Sequence, residues 1–408
     1  MNVNDIRKEF AILDRTVYGK PLVYMDNAAT SQRPRAVIEA WNASAGQCNA
    51  NLHRAVHKLA VDATEAYEVV RDRMRVLLNA AHREEIVFTS GATAAINLVA
   101  FSFGEAFVGP GDEILVSEAE HHSNIVPWQM LCQRKGAVLK VIAVDEDGYL
   151  SMESLQEQLS PRTKLVAVAH ISNVLGLVNP VKEIVEVCHR QGVPVLVDGA
   201  QGIIHEKVDV QAMDCDFYAF SGHKMYAATG TGVLYGKKAY LDQMPPYMGG
   251  GEMIETVRFS GTTFAPLPAK FEAGTQNINA VPTLTIAADL RDSFLDDMEI
   301  IDYQNDIKKY VLNSLAEIPG LTLYGRPRKE EDKIPLFSFT VKGAHHEDLA
   351  LLLDKMGIAT RSGQMCAEPL MDRCGVTGML RVSFAPYNTK EEAEYFIHSL
   401  KKAINMLV

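Results

Sequence analysis

The chain has 408 residues, 47% of them hydrophobic, so it is long enough to bury a large core and to form two domains. Its net charge of −11 at pH 7 disfavours general binding to nucleic acids or to anionic membranes. The sequence shows neither an apolar run of about 18 residues, as a transmembrane helix needs, nor the apolar core of a signal peptide. We therefore expect a cytoplasmic protein.

From residue 86 to residue 235, short apolar runs alternate with helical stretches. The predicted strands cover residues 86–89, 113–117, 137–144, 165–170, 194–197, 217–220 and 232–235, and the predicted helices cover residues 92–101, 124–135 and 180–190. Strands that alternate with helices predict an α/β fold in which a mostly parallel sheet is covered on both faces.

The composition of the sequence changes after residue 245, where Pro and Gly residues predict a loop-like stretch over 245–279. Beyond it we predict a helix-rich segment over 284–318, strands at 337–341 and 379–383, and helices at 347–356 and 390–406. Thr389 and Glu392 fit a capping box at the start of the last helix. We expect a large domain at 16–280 and a smaller α+β domain at 281–408, with segment 1–15 assigned to the smaller one.

The six cysteines form no Cys-x-x-Cys pair, and their spread predicts reduced thiols rather than a disulfide framework. We expect four of them in the core, because they lie in predicted helices or strands: Cys48, Cys132, Cys188 and Cys215. Cys374 is undecided.

Small and polar residues follow several of the predicted strands. Ligands of open parallel sheets bind beyond the carboxyl ends of the strands, so these residues are the candidates for a binding site. They are Ser90-Gly91-Ala92-Thr93, Glu120-His121-His122, Ser172-Asn173, Asp198-Gly199-Ala200-Gln201 and Ser221-Gly222-His223-Lys224.

Two of these segments fit the ends of an anionic aromatic cofactor. Gly91-Ala92-Thr93 opens a helix, whose free N–H groups suit phosphate, although an ordinary N-cap explains the segment equally well. Asp198 ends an apolar strand, where a carboxylate needs a partner. A protonated pyridine nitrogen would be one, and a helix cap or a structural role is the alternative.

Lys224 follows a buried strand, where an apolar neighbourhood lowers the pKa of an amine and favours Schiff-base chemistry. Its alternative is an ordinary surface lysine. The order Asp198, Ser221-Gly222-His223-Lys224 and Gly-rich Thr229-Gly230-Thr231-Gly232 is more specific than the lysine alone.

His121 and His122 follow the strand at 113–117, and one imidazole could stack on a planar cofactor and move a proton. A metal site is the alternative, but no third ligand stands at a useful spacing, and His345-His346 falls on a predicted loop. We expect no metal.

Cys366 lies on the Gly-containing loop Arg361-Ser362-Gly363-Gln364-Met365-Cys366-Ala367. A thiol near arginine on such a loop can be nucleophilic, whereas a buried structural cysteine is the common alternative. Arg381 begins a predicted strand and could hold a carboxylate through two hydrogen bonds, or form a surface ion pair.

Together these residues resemble the class V aminotransferase family of fold-type I pyridoxal-phosphate enzymes. Within it the chain is similar to SUF-type (group II) cysteine desulfurases, which are close to selenocysteine lyases. The resemblance runs from Tyr24-Met25-Asp26-Asn27-Ala28-Ala29-Thr30 to Arg381 and implies a seven-stranded sheet. Its most specific stretches are Asn51-Leu52-His53-Arg54, Glu120-His121-His122-Ser123-Asn124-Ile125-Val126-Pro127-Trp128, His170-Ile171-Ser172-Asn173-Val174-Leu175-Gly176, Val197-Asp198-Gly199-Ala200-Gln201, Phe220-Ser221-Gly222-His223-Lys224 and Arg361-Ser362-Gly363 through Cys366-Ala367.

The resemblance also implies roles. Lys224 would bind the cofactor as a Schiff base and move the Cα proton, His121 would stack on the ring and assist, and Cys366 would be the nucleophile. The implied cofactor-binding residues are Ala92, Thr93, His121, Asp198 (ring nitrogen), Gln201 (ring hydroxyl), Ser221, His223, Lys224 and Thr275, the last reaching the phosphate of the partner subunit in a homodimer. The implied substrate-binding residues are Ala28, His53, Arg54, Asn173, Arg361 and Arg381.

The implied reaction converts L-cysteine to L-alanine and leaves a persulfide on Cys366. Its sulfur would pass to a SUF-type acceptor protein for iron–sulfur cluster assembly. A selenocysteine lyase, acting on L-selenocysteine, shares the whole scaffold and stays an alternative. A kynureninase-like lyase or a transaminase needs no loop cysteine, and a non-catalytic pyridoxal-phosphate-binding scaffold needs none of these reactive groups.

The chain departs from the family pattern at three places. Ala94-Ala95 stand where a Glu is frequent, which puts in doubt any coupling between subunits through that Glu. Gln364-Met365 stand where histidines are frequent, which leaves activation of Cys366 to other groups. Gln276 replaces a common Pro, and we expect little consequence.

Overall fold

A seven-stranded sheet dominates the computed structural model, which describes residues 2–408. Across the sheet the strands are Ile86–Thr89, Gly232–Gly236, Phe217–Ser221, Val195–Asp198, Thr163–Ala169, Glu113–Ser117 and Val138–Ile142. Gly232–Gly236 runs antiparallel to both of its neighbours, and the other six strands share one direction. The predicted fold class is confirmed.

The central strands of this sheet are buried on both faces, which explains why they are apolar at nearly every position rather than at alternate ones, whereas the edge strand Val138–Ile142 is partly exposed. In the strand Val195–Asp198, Val195 and Val197 pack into the core on one face, and Leu196 packs into the core on the other. Thr163–Ala169 alternates in the same way, with Val166 and Val168 opposite Leu165 and Ala167.

Helices cover the two faces of the sheet and the smaller C-terminal layer. The α-helices are Val3–Lys8, Arg35–Gln47, Lys58–Leu77, Ala92–Phe107, Val126–Lys135, Met152–Gln158, Val181–His189, Gly202–His205, Val210–Met213, Lys238–Leu241, Thr283–Asp296, Met298–Ala316, His346–Lys355, Glu368–Cys374 and Lys390–Leu407. Short 3₁₀ turns lie at Ala11–Asp14, Arg83–Glu85, His122–Asn124, Gly222–Lys224, Ala269–Phe271 and Glu330–Asp332. No helix within residues 2–408 is both long and apolar enough to cross a bilayer.

The C-terminal part is built on a four-stranded antiparallel sheet with a core of its own. Its strands, in spatial order, are Leu321–Tyr324, Leu336–Val341, Met379–Ser383 and Arg361–Gly363. The capping box that opens Lys390–Leu407 is present, as predicted: Thr389 accepts from the N–H of Glu392, and Glu392 accepts from the N–H of Thr389.

Three short strand pairs complete the structure. Val23–Tyr24 pairs in parallel with Ile358–Ala359. Thr16–Val17 pairs with Lys20–Pro21, and Ile254–Arg258 pairs with Gly261–Phe264. The last pair corrects our expectation of a loop over 245–279. Both of its strands are mostly exposed, so they carry no pattern of burial that would reveal a hairpin.

Two further expectations need correction. The helix predicted over 92–101 continues to Phe107, because Gly104 packs against Leu131 inside it instead of ending it. Cys48 is only half-buried, whereas Cys132, Cys188 and Cys215 are buried as expected.

The predicted division of the chain near residue 280 stays a prediction. Side chains of Thr283–Asp296 pack into the core of the large sheet, and those of Met298–Ala316 pack mainly into the C-terminal core. Ile6, Phe10 and Leu13 from the N-terminal segment also pack into the core of the large sheet.

Candidate active site

A cleft of about 780 Å³ lies at the carboxyl ends of the parallel strands, where the C-terminal layer meets the large sheet. Most of the predicted site residues line it: Ala28, Ala92, Thr93, His121, Asn173, Asp198, Gln201, Ser221, His223, Lys224, Arg361, Cys366 and Arg381. Residues far apart in the chain converge here, because most of them end or follow strands of the large sheet, and Arg361 and Arg381 lie in strands of the C-terminal sheet.

Lys224 lies in the 3₁₀ turn Gly222–Lys224, directly after the buried strand Phe217–Ser221. Its side chain keeps some exposure inside the cleft but is surrounded by protein atoms. The loss of hydration lowers its pKa to about 8, helped by the positive charges of Arg381 and Arg361 and opposed by Asp198 and Cys366. A fraction of the amine is therefore neutral and nucleophilic at pH 7.

Asp198 is only 5% exposed at the end of its strand, where its Oδ1 accepts a hydrogen bond from the N–H of Ala200 (3.0 Å). Burial raises the pKa of this carboxyl group, while Lys224 lowers it. Gln201 beside it donates from Nε2 to the carbonyl of Ala28 (2.8 Å), and its Oε1 is buried without a hydrogen-bond partner in the described structure. A carboxylate and an unused acceptor thus face the cleft together.

The start of helix Ala92–Phe107 forms another wall of the cleft. Ser221 Oγ accepts a hydrogen bond from the N–H of Ala92 (2.8 Å), and the next N–H groups belong to the first turn, where no helical carbonyl can satisfy them. Thr93 adds an exposed hydroxyl. A Cβ on Gly232 would lie 2.4 Å from the Cα of Gly91, so only glycine lets this turn approach the neighbouring strand. The wall suits an anion.

His223 lines the same end of the cleft, with Nδ1 3.2 Å from the hydroxyl of Thr30. Burial, together with the charges of Lys224 and Arg33, lowers the pKa of His223 to about 4. The ring is therefore neutral at pH 7 and can act as a hydrogen-bond partner without adding charge.

His121 is held by Ser123, two residues further along the chain. Its Nδ1 accepts a hydrogen bond from the backbone N–H of Ser123 (3.1 Å) and contacts the Ser123 hydroxyl (2.7 Å). Burial and the charge of Lys224 lower the pKa of His121 to about 4, so the ring is neutral at pH 7. Because a backbone N–H can only donate, the single ring proton resides on Nε2.

Arg381 is 2% exposed, and two of its nitrogens are already bound. NH1 donates to the carbonyl of Asn173 (2.8 Å), and NH2 pairs with Asp26 (3.0 Å). Its Nε is buried without a hydrogen-bond partner in the described part of the chain. An anionic ligand in the cleft could accept hydrogen bonds from the N–H groups of Arg381 that are still unused, Nε among them.

Cys366 lies between strand Arg361–Gly363 and helix Glu368–Cys374, and it is partly accessible in the cleft. Asn173 Nδ2 donates to the carbonyl of the preceding Met365 (2.9 Å). The residue that contacts Arg381 therefore also holds the segment that carries the thiol.

Three predicted site residues lie outside this cleft. His53 lines a separate cavity and bonds Glu68 through Nε2 (3.0 Å), which raises its pKa. Arg54 pairs with Glu252 (3.0 Å), and Thr275 lines a third cavity. Within one chain these three residues lie apart from the cleft, and their assignment to the site stays a prediction.

The comparisons with known proteins agree with this geometry. The aminotransferase class-V family model matches residues 23–396. The chain belongs to the class V aminotransferase family. A protein of Halalkalibacterium halodurans named probable cysteine desulfurase is 48% identical over 98% of both chains, and one of Vibrio cholerae with the same name is 45% identical over 100% of both.

Two solved structures of this family cover the whole chain. A cysteine desulfurase of Escherichia coli superposes with a TM-score of 0.90 at 38% identity over 100% of both chains. A cysteine desulfurase of Thermococcus onnurineus gives a TM-score of 0.93 at 35% identity, covering 100% of this chain and 99% of that one.

Contacts of three residues in the site were not predicted from the sequence. Ser123 fixes the tautomer of His121, Asp26 pairs with Arg381, and His122 contacts the Cys366 segment. Ser123 and Asp26 lie inside two of the stretches that carry the family resemblance, so the sequence did indicate that they belong to the site. The contact of His122 joins residues 246 positions apart, and nothing in the sequence indicated it.

Proposed function

We propose that the protein is a cysteine desulfurase that uses pyridoxal phosphate and forms a persulfide on Cys366. The observation that carries the proposal is that a lysine of lowered pKa and a partly accessible thiol line one cleft, in a chain whose full-length relatives are named cysteine desulfurases.

The residues of the cleft fit the cofactor. Asp198 would pair with the ring nitrogen, and the unused Oε1 of Gln201 would accept from the ring hydroxyl. The start of helix Ala92–Phe107, with Thr93, Ser221 and His223, would hold the phosphate. When bound, pyridoxal phosphate supplies an aldehyde that reacts with amines and a ring that stabilises negative charge at the substrate Cα.

Proton transfer falls to Lys224 and His121. Lys224, with its partly neutral amine, would hold the cofactor covalently, yield to the substrate amine and then take the Cα proton. His121 is neutral and carries its proton on Nε2, so it would assist by donating a hydrogen bond from Nε2 rather than by giving up that proton. The lowered pKa of Lys224 leaves part of its amine free to accept a proton near neutral pH.

Sulfur transfer falls to Cys366. Its sulfur would attack the sulfur of L-cysteine, so that the S–S bond forms as the Cβ–S bond of the substrate breaks. The electron pair of the broken bond stays with Cβ, which takes a proton and becomes the methyl group of alanine. The overall reaction, L-cysteine plus thiol to L-alanine plus persulfide, needs no external oxidant or reductant.

Arg381 and Asn173 would bind the substrate carboxylate. The Nε of Arg381 is an unused donor, and the contacts of the guanidinium group to Asn173 and Asp26 hold its plane in place. Arg361 would line the pocket beside it, and Ala28 would form its floor. A carboxylate thus replaces solvent as the partner of a nearly buried cation.

We further propose a homodimer in which Thr275 reaches the phosphate of the partner, with His53 and Arg54 at the partner's cleft. Support comes from their position outside their own cleft and from exposed apolar side chains such as Val56, two residues after Arg54, and Phe259. Mixing inactive Lys224→Ala with Thr275→Ala should restore activity, because one site of each mixed dimer is then intact. A failure of freshly mixed, exchanged subunits to regain activity would contradict the shared site.

The sulfur acceptor is proposed to be a SUF-type protein of the cytoplasm, where six free thiols are stable. The test of the enzymatic function is direct. With L-cysteine and a reductant, the protein should release alanine and sulfide in equal amounts. Cys366→Ser should keep the cofactor and its absorbance but lose alanine formation. Undiminished turnover of L-cysteine by this variant would overturn the assigned nucleophile, and turnover of L-selenocysteine alone would indicate a selenocysteine lyase.

A further inference from the structure

The segment that carries Cys366 has an unusual backbone. Met365 and Cys366 both adopt the left-handed conformation, with φ of 54° and 56°. Neither is a glycine, so each costs conformational free energy that contacts elsewhere must offset. The surroundings of this segment therefore determine where the thiol points.

Helix Glu368–Cys374, which follows the thiol, lacks a cap of its own. The residue before it is Ala367, whose side chain has no acceptor for the free N–H groups of the first turn. Pro369, the second helical residue, has no N–H to satisfy. The N–H of Glu368 is the group that needs an acceptor.

His122 supplies that acceptor from the other side of the cleft. Its Nε2 accepts a hydrogen bond from the N–H of Glu368 (3.0 Å), and its own backbone N–H donates to the carbonyl of Cys366 (2.7 Å). One residue of the 3₁₀ turn His122–Asn124 thus bonds the backbone on both sides of Ala367. Because Glu368 N–H can only donate, Nε2 of His122 accepts in this bond.

We propose that His122 is a positioning residue that fastens the Cys366 segment in the cleft. The inference rests on the proposed function, since the thiol must first lie beside the substrate sulfur and later face an acceptor protein. His122 holds the inward position through two bonds, and loosening them lets the segment turn outward. This chain has Gln364-Met365 before the nucleophile, so His122 is the imidazole bonded to the segment.

Two substitutions distinguish the effect of the hydrogen bond between Glu368 N–H and His122 from the effect of removing the bulky imidazole ring. In His122→Gln the amide reaches the position of Nε2 and can accept from Glu368, whereas in His122→Asn it stops at the position of Nδ1. The protein with its cofactor is labelled at Cys366 with iodoacetamide and with a bulky fluorescent maleimide, and the labelled peptide is quantified by mass spectrometry. The ratio of the two rate constants cancels changes in intrinsic thiol reactivity.

We expect His122→Asn to raise the ratio of bulky to small reagent by about twofold to tenfold, the effect of one hydrogen bond. His122→Gln should stay close to the parent protein. In turnover of L-cysteine, the Asn variant should lose kcat with little change in KM, because the carboxylate site is untouched, and the Gln variant should recover kcat. Equal ratios in all three proteins, or equal increases in both variants, would overturn the proposal.

The labelling step needs no turnover, so its outcome is independent of the desulfurase activity. A parent protein that forms no alanine would refute the proposed function, and the labelling ratio would still decide the role of His122. If a variant does not fold, hydrogen exchange of the Glu368 amide in the parent protein serves instead. Protection is expected, and exchange as fast as in a free peptide would overturn the role.

Discussion

The lowered pKa of Lys224 has a consequence that is measurable before any cofactor is added. With a pKa of about 8, roughly one-tenth of the amine is neutral at pH 7. An ordinary lysine, with a pKa of about 10.4, is about 0.04% neutral at that pH. The cleft should therefore raise the reactive fraction of Lys224 by about two orders of magnitude.

Substitution of Asp198 tests the cause of this shift. Burial lowers the pKa of Lys224 most, whereas the carboxylate of Asp198 raises it by favouring the ammonium form. Asp198→Asn removes that negative charge, so the pKa should fall below 8 and reactivity should appear at lower pH. Arg361→Gln removes a positive charge that lowers the pKa, so it should move the midpoint in the opposite direction.

Competitive labelling of the cofactor-free protein with acetic anhydride measures both effects. The rate of acetylation at the Lys224 peptide is followed against pH, with exposed lysine peptides of the same digest as internal references. The pH at which the acetylation rate of Lys224 reaches half its maximum should lie near 8 in the parent protein, lower in Asp198→Asn and higher in Arg361→Gln. A midpoint near that of an exposed lysine, or shifts of the opposite sign, would refute the electrostatic reasoning.

Two further predictions concern ligand binding. Arg381→Lys keeps the charge but not the Nε donor, so the KM for L-cysteine should rise about tenfold to a hundredfold with a smaller change in kcat, as steady-state kinetics would show. An unchanged KM would remove Arg381 from the carboxylate site. Gly232→Ala should weaken binding of pyridoxal phosphate at least about tenfold in an absorbance titration, because its Cβ collides with the turn at Gly91. Gly249→Ala is the matched control, since its Cβ would meet open space, and an equal loss in both variants would contradict the role of the turn.

The core of the fold could be predicted because burial shapes its sequence. Strands such as Val195–Asp198 are apolar on both faces, and such a continuous apolar run can be recognised in the sequence without a structure. The hairpin Ile254–Arg258 with Gly261–Phe264 could not be predicted, because its exposed strands carry no such pattern. The length of helix Ala92–Phe107 was missed because the tolerance for Gly104 depends on a partner helix.

Site residues could be predicted from the sequence where a reactive side chain stands at the end of a predicted strand or directly after it. Asp198 ends a buried strand and Lys224 lies in the turn after the neighbouring one, so topology alone brings them to one edge of the sheet. The contacts that orient the reactive groups are long-range and follow no local rule. His122 with Glu368 and Arg381 with Asp26 are joined only by tertiary packing, which periodicity does not encode.

Trapping sulfur on Cys366 is the most direct test of whether this thiol accepts the sulfur of L-cysteine as a persulfide. The protein with its cofactor is given L-cysteine without reductant, alkylated, digested and analysed by mass spectrometry. We expect one additional sulfur atom on the Cys366 peptide, in an amount equal to the alanine released, and no such product in Lys224→Ala. Alanine formed without sulfur on Cys366, or the added sulfur on another cysteine, would contradict it.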